Sequence, residues 1–136
     1  MPVSYSIFLL RFVDSGVVAL DAGRFRRVTE PYVVAGGPGE GFSRLRAKDG
    51  GEADLYHESH GESGMPCVTA THFARGAMLG VLGRLAAELG ASIVPQEGGA
   101  LIFHERERRH LPAELQGNAV VIAPTEDALQ AAFDAR

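Results

Sequence analysis

The chain of 136 residues has no tryptophan, one cysteine and one lysine, Lys48. A single thiol, Cys67, excludes an intramolecular disulfide and any zinc site that needs several thiolates, and it suits a reducing compartment. An excess of positive charge is also missing. Thirteen basic residues stand against 17 acidic ones, a formal net charge of -4, which argues against nucleic-acid binding through bulk charge. The scarcity of lysine beside abundant Arg, Ala, Gly and Val reads as the codon bias of a GC-rich bacterial genome. The arginines therefore say little by themselves about phosphate recognition. No uncharged run approaches the roughly 20 apolar residues of a membrane span. The opening Met1-Pro2-Val3-Ser4-Tyr5-Ser6 lacks the basic start of a signal peptide, and Arg11 interrupts the apolar run that follows. The expected setting is the cytoplasm of a bacterium.

What the chain does have is 46% hydrophobic and 22% charged residues, too apolar and too weakly charged for a disordered protein. Its length fits a single domain, 1–136, and allows a core without disulfide or metal staples. Ser4 to Val13 has apolar residues at both parities, as expected of a strand inside a sheet rather than at its edge. Asp14-Ser15-Gly16 is a turn. Asp21 is placed to cap a short helix that Pro31 ends, with Phe25 and Val28 on one side. Ala35 to Gly41, with four glycines and a proline, reads as an irregular loop. Phe42 to Ala47 and Glu52 to His57 form a hairpin around Asp49-Gly50-Gly51. His57 to Met65 is polar and reads as an exposed loop, and Cys67 to Phe73 is strand-like.

Ala74 to Leu89 carries Met78, Val81, Leu82, Leu85 and Leu89 at helical spacing, followed by Gly90 as a natural stop. Ala91 to Pro95 and Ala100 to Glu105 read as a second hairpin, and Leu111 to Leu115 as at most one helical turn. Ala119 to Ala123 reads as a short buried strand. Thr125 caps a last helix that turns Leu129, Ala132 and Phe133 inward. Recurrent tight turns without a strict strand–helix–strand rhythm predict an α+β fold. That fold is a mainly antiparallel sheet of about six or seven strands with two or three helices packed on one face. Helices so few leave part of such a sheet bare, which favours a homodimer or a protein partner.

Several residue groups invite chemistry. The glycines of 36–41 lack the Lys-Ser/Thr of a phosphate loop and carry Glu40, so a connector is expected. His57, Glu58, His60 and Glu62 are the one dense set of metal-capable side chains, with His57 and His60 as weak metal candidates. They lack the helical H-E-x-x-H frame that would aim two ligands at one ion. Cys67 and His72 stand at odd spacing, facing opposite ways along a continuous strand. His104 to His110 alternates charge in the manner of a solvated strand edge.

The segment from Asp49 to Glu62 holds five carboxylates, Asp49, Glu52, Asp54, Glu58 and Glu62, and no Lys or Arg. Glu52 and Asp54 share strand parity and project together. The expected function is accordingly non-catalytic, requiring no cofactor. It is protein–protein contact through this acidic hairpin and loop, as an immunity protein or antitoxin blocks a basic enzyme. The competing expectation is a metal-dependent enzyme or small-ligand binder with a site around His57 and His60.

Overall fold

The computed structural model describes residues 5–37, 40–57 and 64–135. Among the described residues nine strands form one mixed, mostly antiparallel sheet: β1 Ile7–Val13, β2 Gly16–Val18, β3 Val33–Gly37, β4 Phe42–Arg46, β5 Glu52–Tyr56, β6 Val68–Thr71, β7 Ser92–Pro95, β8 Leu101–Ile102 and β9 Val120–Val121. The order is β3-β4-β5-β6-β1-β7-β8-β9, with β2 folded back on the end of β1. The helices are α1 Ala22–Thr29, α2 Ala77–Glu88, α3 Ala113–Gln116 and α4 Glu126–Asp134, beside 3-10 segments at Glu30–Tyr32 and Glu105–His110. Strands and helices both outnumber the expectation from sequence, because several are too short to show a period.

β1 lies between β6 and β7, antiparallel to both, as its two apolar faces require. Asp14 and Ser15 adopt positive φ and close the β1–β2 hairpin. The Asp21 carboxylate accepts the Arg24 amide at 3.0 Å and starts α1, which buries Phe25. α2 crosses over from β6 to β7, and its apolar stripe packs on Ile7, Leu9, Leu55 and Ile93. Thr125 accepts the Ala128 amide, starting α4, whose Leu129 and Phe133 join the same core.

Three expectations need correction. Ala35, Gly36 and Gly37 are not loop but strand, paired with Arg44, Ser43 and Phe42. Glycine is required there because Gly36 has φ +73° and an added Cβ would fall 2.2 Å from the Phe42 carbonyl oxygen. Residues 105–110 form a 3-10 helix rather than a strand end. Val120 and Val121 are exposed, not buried, because they pair in parallel with β8 at the edge of the sheet. A helix beyond the three expected on one face, α3, lies on the opposite face. α1, α2 and α4 cover one side, whereas Leu115 of α3 packs with Ile102, Leu111, Phe12 and Val94 on the other.

Candidate functional site

The β4–β5 hairpin turns Leu45, Ala53 and Leu55 into the core under α2, which leaves the alternate positions on the face without these helices. Glu52 and Asp54 project together from that face, as their parity predicts. Register then sets Arg46 beside Glu52, Arg44 beside Asp54 and Phe42 beside Tyr56. Arg44 Nε donates to Asp54 at 2.8 Å, and Arg46 donates to Glu52 through Nε and Nη2 at 2.9 and 2.7 Å. His72, just beyond the end of the neighbouring strand β6, lies 3.5 Å from Asp54. The Phe42 and Tyr56 rings sit 5.2 Å apart, and Tyr56 is 48% exposed. Phe8 and Thr69 continue this level across the sheet. The result is a ladder of opposite charges beside an aromatic pair, on a broad face rather than in a cleft.

Asp49 is not part of that face. Its carboxylate accepts the Gly51 amide at 2.9 Å and the Ala77 amide at 3.1 Å, tying the hairpin turn to the first residue of α2. Those two N–H groups hold its pKa below the ordinary carboxylate value. Glu58, His60 and Glu62 lie outside the described residues. Of the five carboxylates, the structure thus brings Glu52 and Asp54 together and commits Asp49 to the turn.

His57 is not in an exposed loop; it is buried. Strand β5 alternates Ala53 and Leu55 inward, and one further step of the same parity carries His57 in behind them. Its ring lies 4.6 Å from that of Phe25, and its Nε2 shares a 2.9 Å hydrogen bond with the Ser43 hydroxyl. Burial pushes its pKa below the ordinary imidazole value, favouring the neutral ring. Ser43 escaped notice in the sequence because it stands alone among polar residues; β4 parity with Leu45 is the signal that places it inward. The pair has the spacing of a nucleophile and its base, but Ser43 is 0% exposed and, among the described residues, His57 Nδ1 has no partner to orient the ring. A substrate has no path to that hydroxyl in this conformation.

Cys67 is half-buried near the Thr69 hydroxyl, and burial raises its pKa, so it stays a thiol. His72 directly follows β6, with φ +50°. His104 and His110 flank the 3-10 helix, where His110 Nδ1 accepts the Asp14 amide. Among the described residues no three His, Cys, Asp or Glu side chains converge to hold a metal ion. Nor is any described helix long and apolar enough to cross a membrane. This chain matches no protein-family model, no curated protein and no solved structure.

Proposed function

We propose that this protein works by protein–protein contact through the sheet face of β4 and β5, and that the occupant is a second copy of the chain. One observation carries the reading: a basic row, Arg44 and Arg46, lies directly beside an acidic row, Glu52 and Asp54, in matched register. A two-fold axis parallel to the strands and midway between β4 and β5 exchanges the two rows without changing height along them. It sets Arg44 of one copy over Asp54 of the other, Arg46 over Glu52 and Phe42 over Tyr56. Such a patch is self-complementary, as an isologous interface requires. Opposite charge fixes the register, while the Phe42 and Tyr56 rings supply apolar area to bury.

The acidic-docking reading expected from sequence needs Glu52 and Asp54 free to meet a basic partner. Arg44 and Arg46 already neutralise them, so a second copy suits the face better than a strongly basic protein does. Sedimentation equilibrium over a wide concentration range tests the proposal. The mass rises toward twice the monomer value, and Tyr56→Lys shifts the transition to higher concentration. A wild-type protein that stays monomeric throughout would overturn it, and titration with a basic protein that then bound would restore the acidic reading in its place.

A further inference from the structure

At the β6 end of the charge ladder, Asp54 is held between a guanidinium and an imidazole. Arg44 Nε meets one carboxylate oxygen at 2.8 Å, and His72 Nδ1 lies 3.5 Å from the other. The Asp54 side chain is 14% exposed, whereas that of His72 is 61% exposed and exchanges protons freely with solvent. Arg44 and Arg46 on β4 and Glu52 and Asp54 on β5 sum to zero charge. His72 is the one member of this cluster whose residue type changes charge between pH 5 and 8. Its other surroundings add no charge. β1, beyond β6, is uncharged from Tyr5 to Leu10, and Arg75 turns away to pair with Asp134. A protonated His72 therefore leaves each face with one net positive charge.

The two-fold axis that sets β4 over β5 also sets β6 over β3 of the other copy, because the order β3-β4-β5-β6 is symmetric about it. β3 reads Val33-Val34-Ala35-Gly36-Gly37 and has no carboxylate to receive a charged ring. Register puts Thr71 level with Asp54, so His72, one residue on, falls between the heights of Asp54 and Glu52. At those heights the nearest charges of the other copy are Arg44 and Arg46, with Glu52 and Asp54 one strand farther off. Docking also strips water from the ring, which costs a cation more than a neutral group. The monomer thus offers a charged His72 its own Asp54 and open solvent, and the dimer offers it arginines and valines. Building on the pairing proposed above, we infer that His72 makes that pairing pH-dependent: the neutral ring permits it, and protonation drives the two copies apart.

Sedimentation equilibrium of the whole chain at fixed ionic strength tests this. The wild-type dimer weakens by about tenfold or more between about pH 8 and about pH 5.5, since two imidazoles per dimer must shed a proton to pair. His72→Asn, neutral throughout and suited to the φ +50° backbone, shows no such loss on acidification. His72→Lys, charged throughout, pairs at about pH 8 as weakly as the acidified wild type. That variant reads the effect where acid unfolding through His57 plays no part. A wild-type dimer equally tight at both pH values would overturn the inference and leave the pairing itself standing. So would a loss that His72→Asn shares, or a folded His72→Lys variant that pairs like the wild type. A wild-type chain that is monomeric even at about pH 8 would overturn the pairing, and its control by His72 with it.

Discussion

At Gly36 the backbone occupies the left-handed region, with the Phe42 carbonyl too close for any side chain. Gly36→Ala should lower stability by about 2–4 kcal/mol, the sum of an unfavourable φ and an overpacked contact, as read from urea unfolding. An unchanged midpoint would contradict the pairing of β3 with β4. His57 makes a prediction with a definite sign. Its folded-state pKa lies below the ordinary value of about 6.5, so the unfolded chain binds the proton more readily than the folded one. The stability it contributes is fully present above that ordinary value and is lost as pH falls from there through the folded-state value. His57→Gln keeps a hydrogen-bonding partner for Ser43 and cannot titrate. The difference between wild-type and variant unfolding free energies should therefore shift against the wild type on acidification. A difference constant from neutral pH downward would mean that the ring is not buried as a neutral group.

Elements were legible where a period ran long enough to be read. The α2 stripe repeats over three turns, and Met78, Val81, Leu82, Leu85 and Leu89 are all buried. β1 declared its central place by carrying apolar residues at both parities, and Asp21 and Thr125 marked the starts of α1 and α4 by capping chemistry. Legibility failed where tertiary pairing overrides local preference. β3 is a strand because Gly36 and Gly37 can approach β4 closely, although glycine ordinarily argues against strands. Val120 and Val121 are apolar yet exposed, since a parallel partner on one side places them at the sheet edge. The buried α2 stripe and the exposed edge strand β9 predict different responses to truncation. Leu82→Ala should cost about 2–5 kcal/mol, as a large side chain leaving a closed core. Val120→Ala should stay within about 0.5 kcal/mol. Denaturant unfolding of both variants checks the pair, and a costly Val120→Ala would place β9 inside rather than at the edge.

Across the whole molecule, the sheet carries three helices on one side, while the β4–β5 hairpin keeps its other side free of them. Parity alone placed Glu52 and Asp54 on that side. It did not reveal that Arg44 and Arg46 stand opposite, because cross-strand register depends on the turn: the Ala47 amide bonds Gly51, and Gly50 takes φ +88°. The turn thus converts an acidic stretch of sequence into a balanced ladder. The burial of His57 was written in the parity of β5 but masked by the polar residues that follow it. The most direct measurement mixes two variants. Arg44→Glu with Arg46→Glu makes both rows acidic, and Glu52→Arg with Asp54→Arg makes both rows basic. Each folded variant alone should sediment as a monomer under conditions where the wild type dimerises, and an equimolar mixture should form a heterodimer. Variants that dimerise alone like the wild type, or a mixture that stays monomeric, would contradict face-to-face pairing of β4 and β5.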